Sequence, residues 1–306
     1  MSQRTTARSA PVHRQRLYVL SATKAPTALV LFRKSSWWLL ARWDLDTPKL
    51  TEGASFKGKL YPRRCDLSPD GRLFSTFALK GRGGEFVGQS GLKTYHAVSR
   101  APWLFALAAW PEAGTYTRGL HFVPAAEAPP LPPAAHGDAA PLARARLGLV
   151  RTAPVAYAAE RRRGWVEAAD CPVRGANDMW DERRRVVLEK ARPHGVERLR
   201  LEDDGLVDSA VGFDNRRPRY RWSRGAESAP IEGADWCDWD SSGRLLVAGD
   251  ERLRILDGAS REELWSKDLA SLVPNPRAAP DWARTWSGEE GSSHPGRRAK
   301  TTKSAR

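Results

Sequence analysis

Two aspartates in matched settings are the first residues of this chain whose type and spacing could do chemistry. Asp66 lies in CDLSPDGRLF and Asp238 in CDWDSSGRLL, 172 residues apart, each shortly before a Gly-Arg-Leu turn. Two carboxylates facing one substrate are the apparatus of glycoside hydrolysis, one as acid and one as base or nucleophile. Asp66 and Asp238 are therefore the weak candidates for catalysis, with Asp240 and the pair Asp203-Asp204 nearby. The plainer role is to cap a turn by accepting backbone N–H groups. It explains both copies without any substrate, and it is preferred.

The arginines offer a second chemistry. Arg161, Arg162 and Arg163 form one run, residues 183–185 another, and Arg216, Arg217, Arg219, Arg221 and Arg224 a third, in which Tyr220 and Trp222 are interleaved. Such clusters suit phosphate or an acidic partner. Strand alternation, however, places Tyr220 and Trp222 on one face and Arg219 and Arg221 on the other. Rings and guanidinium groups so divided cannot hold one nucleotide together. Buried rings with an outer charged face are the preferred reading, and a protein is favoured over nucleic acid as partner.

Other chemistries find little support. The six histidines are scattered, with no HExxH or HxH, so no metal is expected. GRGGEFVG at 81–88 lacks the Lys-Ser/Thr ending of a phosphate loop, and there is no GxSxG elbow. No cofactor is expected. Cys65, Cys171 and Cys237 form no CxxC, and their odd number argues against a disulfide framework. Buried thiols are expected at Cys65 and Cys237.

The elements that must carry these residues are strands. The chain has 306 residues, 13 of them Trp, with 25 Gly and 22 Pro separating short apolar runs. Many short strands with Gly/Pro-rich turns belong to sandwiches, barrels or propellers. Strands are expected near 17–20, 28–32, 37–44, 72–79, 93–99, 103–110 (or a short buried helix there), 147–151, 155–159 (or a helix there), 164–168, 184–190, 196–202, 206–213, 219–222, 236–240, 245–248, 253–256 and 263–265, while 47–58 read as turn residues. Trp236 and Trp239, three apart on one strand, should lie on opposite faces, both buried. Residues 123–145 are rich in Pro and Ala and read as an exposed connection, an insertion, or a linker between half-domains. Trp282 and Trp286 are candidates to pack back on the body.

The motif around Cys65 and that around Cys237 match at five of nine positions without a gap. Their separation is four times a unit of about 40–45 residues. SPDGRL at 68–73 and SSGRLLVAGDERLRILD at 241–257 resemble β-propeller blades of the WD40 or TolB type. Trp43-Asp44, Trp180-Asp181 and Trp239-Asp240 are Trp-Asp dipeptides at irregular spacing, and the Gly-His pair of true WD40 repeats is missing. The resemblance is at the level of the blade and covers about a third of the chain. It implies an all-β propeller of about six blades over residues 17–287, with five or seven as neighbouring counts at about 40–45 residues each. A β-sandwich or a two-domain all-β protein is the alternative.

Net charge is +14. Half of it lies on two polar segments, +4 within residues 1–16 and +3 within 288–306, which read as disordered basic tails. A positive balance favours acidic partners in general. No run of 18 apolar residues exists and no secretory signal is evident, so a cytoplasmic protein without membrane spans is expected. The functional expectation is a non-catalytic propeller that binds or scaffolds a protein or another acidic partner. A propeller hydrolase or lyase using Asp66 and Asp238, and a nucleic-acid binder using the arginine runs, are the alternatives.

Overall fold

A computed structural model of the chain describes residues 16–79, 94–112, 117–123, 147–152, 155–172, 185–205 and 217–286. The loop at 81–91, nearly all of the Pro-rich connection, both tails apart from Arg16, Trp180, Arg216 and the strand expected at 206–213 lie outside the described residues.

Period-two alternation builds the first sheet. It is a meander of β1 (Leu17–Ser21), β2 (Thr27–Lys34), β3 (Trp37–Asp44) and β4 (Lys49–Lys57). Six consecutive residues of β2 are buried, because the sheet is covered on both faces. Leu17, Val19, Val30, Phe32, Ala41 and Trp43 face one apolar cluster, while Tyr18, Leu20, Leu29, Leu31 and Leu40 face another. Each fully buried Leu or Val contributes about 1.5–3 kcal/mol through area removed from water.

The second sheet contains β5 (Lys59–Leu60), β6 (Asp66–Leu67), β7 (Leu73–Leu79), β8 (Thr94–Arg100) and β9 (Ala108–Glu112), with both β5 and β6 on β7. The third is the pair β10 (Leu120–Phe122) and β11 (Leu149–Arg151). A short helix, α1 (Ala158–Arg162), then leads into the fourth sheet: β12 (Val166–Glu167), β13 (Val186–Ala191), β14 (Arg198–Asp203), β15 (Arg219–Arg224) and β16 (Glu227–Pro230). The fifth is the meander β17 (Ala234–Trp239), β18 (Leu245–Gly249), β19 (Arg252–Leu256) and β20 (Glu263–Asp268). The protein is thus all-β in class, in several separate antiparallel sheets.

Shared apolar clusters set the sheets side by side. The fifth packs on the first through Trp236, Leu246 and Ile255 against Val30, Phe32 and Trp43. Its other face, with Trp239, Leu245 and Val247, meets Leu188, Leu199, Tyr220 and Trp222 of the fourth. Trp236 and Trp239 therefore do lie buried on opposite faces, as alternation requires. The first sheet meets the second through Leu29, Leu31, Phe74 and Phe77, and the second meets the third through Val98, Trp110, Leu120 and Leu149. The far face of the fourth sheet is charged instead. There Arg200 joins Glu189, Glu202 and Asp170 across the strands.

The two repeat copies occupy equivalent hairpins in different sheets, β6–β7 and β17–β18. In each, a glycine takes the left-handed conformation, Gly71 at φ 74° and Gly243 at φ 78°, which costs a side-chain-bearing residue about 1 kcal/mol or more. The capping oxygen is that of Ser68 in one turn, accepting from Arg72 and Leu73 N–H, and that of Asp240 in the other, accepting from Ser242 and Arg244 N–H. Capping thus belongs to position 68/240. Asp66 and Asp238, two residues earlier and on the inner side of the strand, are turned elsewhere, which corrects the expectation that they cap.

Three local readings also change. Residues 49–57, read as turn residues, form β4 by pairing with β3. Residues 103–106 are irregular rather than strand, since Trp103 N–H closes a turn on the Arg100 carbonyl. Residues 158–162 take the helical alternative. The chain after β20 runs back over the first sheet. Lys34 donates to the Ala270 and Leu272 carbonyls, Arg277 to that of Glu52, and Arg100 to those of Thr285 and Trp286. Trp282 packs with Ala54 and Trp103, and Trp286 against Val98 and Trp110. This strap ties the last sheet to the first and second.

Candidate functional site

α1 places charge in the middle of the molecule. Its run Glu160-Arg161-Arg162-Arg163 follows Tyr157, whose φ of 57° turns the chain sharply into the helix. A left-handed Tyr costs about 1–2 kcal/mol. Full burial of the ring and a 2.8 Å hydrogen bond from its hydroxyl to Asp203 offset that cost. Glu160 accepts from the Tyr18 hydroxyl at 2.9 Å and lies 4.0 Å from the Arg63 guanidinium, which stacks 4.2 Å from the Tyr157 ring centre. These groups are all buried. They join β1, the turn before β6, α1 and β14.

Arg163, at the end of the helix, donates to Asp66 at 2.8 Å and to the Ser21 carbonyl at 2.9 Å. The other Asp66 oxygen accepts from Phe122 N–H at 3.0 Å and sits 3.6 Å from Arg162. Asp238 forms a 2.5 Å pair with Lys190. Burial pushes its carboxyl up from the ordinary value, against the pull of Lys190 and Arg163. So Asp66 is held by the end of α1 and Asp238 by Lys190 of β13, and each already holds a cation.

A cleft of about 580 Å³ opens beside these pairs. Its walls are the β1–β2 turn with Lys24, the β3–β4 turn with Asp46, Arg162 and Arg163 of the helix end, Lys190 and Pro193, and Asp238 to Arg244 of the fifth sheet. Five cations line it against three carboxylates, Asp46, Asp238 and Asp240. Arg244 is fixed by Asp240 at 2.6 Å and by the Leu45 carbonyl at 2.8 Å. Lys24 is exposed, and among the described residues its ammonium has no partner. The volume is that of an ordinary small-ligand or side-chain pocket.

The other candidate arginines are not brought here. Arg161 turns back to the Ala156 carbonyl and Glu167. Arg217 reaches Asp235, Asp250 and the Gly233 and Ala234 carbonyls. On β15, Arg219 pairs with Asp204 and Glu202, Arg221 with Ser228, and Arg224 lies 3.6 Å from Glu197, while Tyr220 and Trp222 are core. Arg216 is outside the described residues. Sequence reasoning missed Tyr18, Arg63, Tyr157, Glu160, Lys190 and Lys24. The one available signal was an acid placed directly before three arginines. None of the three cysteines is in a disulfide, and Cys65 and Cys237 are buried. Among the described residues no group of His, Cys, Asp and Glu could hold a metal ion, and no helix is long and apolar enough to cross a membrane.

His121, on β10, lies within the field of the same arginines. Its Nδ1 is 3.4 Å from the Thr152 hydroxyl. Burial first, then Arg162 and Arg163 against Asp66, pull its pKa from 6.5 to about 4. The folded protein therefore resists a proton that the unfolded chain accepts. Stability from this group is full above pH ~6.5 and falls as the pH drops toward ~4. Discounted for partial exposure, the loss is about 1–2 kcal/mol. Chemical denaturation should show a smaller acid loss by that amount in His121→Gln; an unchanged loss would remove His121 as its source.

No protein-family model matches the chain, and no curated protein matches it significantly. Among solved structures, similarity extends to a chain of the mitotic checkpoint complex, 12% identical over 89% of this chain and 75% of that one, at a TM-score of 0.26. An uncharacterized protein from Listeria monocytogenes is 12% identical over 84% and 85%, at 0.29. The WD40 domain of SCAP from fission yeast is 11% identical over 84% and 57%, at 0.25. Likenesses this distant fix neither fold nor function.

Proposed function

We propose that the protein is a non-catalytic, propeller-type binding module of five radial units that engages an acidic partner protein at the central cleft. The observation that carries this is the cleft itself, where the end of α1 meets turns of the first and fifth sheets, with more cations than carboxylates on its walls. The radial reading is supported by the packing of the fifth sheet on the first, by buried inner strands β1 and β17, and by exposed outer strands β16 and β20. Binding rather than hydrolysis is supported by the pairs Asp66–Arg163 and Asp238–Lys190, which occupy the two carboxylates a glycosidase would need. A protein partner is favoured over nucleic acid because the β15 arginines are already paired to acids or to Ser228. Three cysteines outside any disulfide support a reducing, cytoplasmic setting.

The test is fluorescence polarisation of the full chain with Glu/Asp-rich peptides and with a DNA duplex. Acidic peptide should bind more tightly than DNA and weaken with salt. Lys24→Glu should weaken it by about tenfold, and Arg219→Ala should not. Tighter binding to DNA, or peptide binding indifferent to Lys24→Glu, would sink the proposal.

A further inference from the structure

We infer that Arg162, at the wall of the cleft beside the Arg163–Asp66 pair, forms an oxyanion subsite that takes a carboxylate or phosphate group of the ligand. The inference deepens the binding reading above and rests on the cleft being a ligand site. Three of the five lining cations hold a carboxylate at short range: Arg163 at 2.8 Å, Lys190 at 2.5 Å and Arg244 at 2.6 Å. Arg162 does not. Its contact with Asp66 is 3.6 Å, to an oxygen that already accepts from Phe122 N–H. Its side chain is nonetheless only 27% exposed.

A guanidinium carries five N–H donors in a planar fork that matches carboxylate and phosphate oxygens. Taking that fork out of water without a close counter-charge is unfavourable, and an oxyanion entering the cleft would correct it. Two further observations agree. Burial, with Arg163 adding to it and Asp66 only partly opposing it, holds the Arg162 guanidinium below the usual arginine range. His121, facing Arg162, Arg163, Asp66 and Thr152, is pulled down to about 4 by burial and those arginines. In both, burial is the larger cause and the charge of a neighbouring arginine adds to it.

The experiment follows the His121 ring by NMR through a pH titration of the full chain, alone and with inorganic phosphate or acetate. Either anion should bind saturably and raise the His121 pKa by about one unit or more, because the bound charge cancels part of the Arg162 field. The tighter anion identifies the ligand group. Arg162→Gln should raise the His121 pKa without any anion and abolish the anion's effect. Arg162→Lys, which keeps the charge and loses the fork, should bind at least roughly tenfold more weakly. Arg219→Gln should behave as wild type. A His121 titration unmoved by both anions in the wild type overturns the inference, as does anion binding that survives Arg162→Gln. If acidic peptide still binds while both anions fail, the oxyanion subsite falls and the partner reading stands. If peptide and anions both fail, the two fall together.

Discussion

Replacing Glu160 with alanine is expected to lower stability by about 3–5 kcal/mol, the usual cost of removing one partner from a buried charge network. Glu160 is buried on α1 and accepts from Tyr18 at 2.9 Å. Its negative charge is one of those that keep the buried Arg63 guanidinium ionised; burial opposes ionisation, and Tyr157, Tyr18, Glu160 and Asp203 favour it. Truncation leaves the Tyr18 hydroxyl without this acceptor and weakens the field on Arg63. Glu160→Gln keeps an acceptor and loses the charge, so it should fall between wild type and alanine. Urea denaturation of the three proteins measures the order. An alanine variant within about 1 kcal/mol of wild type would show that Asp203 alone balances Arg63.

Trp43→Ala should cost about 3–5 kcal/mol as well, by a different route. Trp43 is fully buried on β3, and its ring stacks on Trp265 of β20 with centroids 5.7 Å apart and planes 28° apart. It stands where the last sheet packs on the first. The cavity left by alanine should therefore loosen that packing before it loosens the fourth sheet. Amide exchange should accelerate in β2–β3 and β18–β20 more than in β13–β15. Uniform acceleration everywhere would show instead that the sheets unfold as one unit. An unchanged midpoint would show that the Trp43–Trp265 contact does not hold these two sheets together.

Much of the fold was legible because it is written in local pattern. The short apolar runs at 17–20 and 28–32 predicted strands, and the double-sided burial of Trp236 and Trp239 followed from their spacing of three. The repeat at Cys65 and Cys237 predicted equivalent hairpins in separate sheets, and Gly71 and Gly243 share the left-handed conformation that their turns need. Tyr220 and Trp222 went to the core and Arg219 to an outer face, as strand alternation required.

The candidate site was legible only in part. Arg162 and Arg163 were picked out by clustering, but so were Arg217, Arg219, Arg221 and Arg224, which the fold sends elsewhere. Charge clustering cannot separate these cases, because it does not register which acids lie opposite. Arg219 meets Asp204 across a hairpin, whereas Arg162 meets an aspartate already engaged by its neighbour.

The sequence by itself determined most of the strands, though not β4, β10 or β16, and the glycine turns of the two repeat copies, since these depend on residues close along the chain. Only the tertiary structure decided which sheet packs on which, and which charges meet. Tyr18 and Glu160 are 142 residues apart, Asp66 and Arg163 are 97 apart, and Lys190 and Asp238 are 48 apart. Their partners are fixed by the order in which sheets are laid side by side, and no local period records that order. For the same reason the cleft, bounded by five separate stretches of chain, and the under-compensated Arg162 within it exist only once the sheets have assembled.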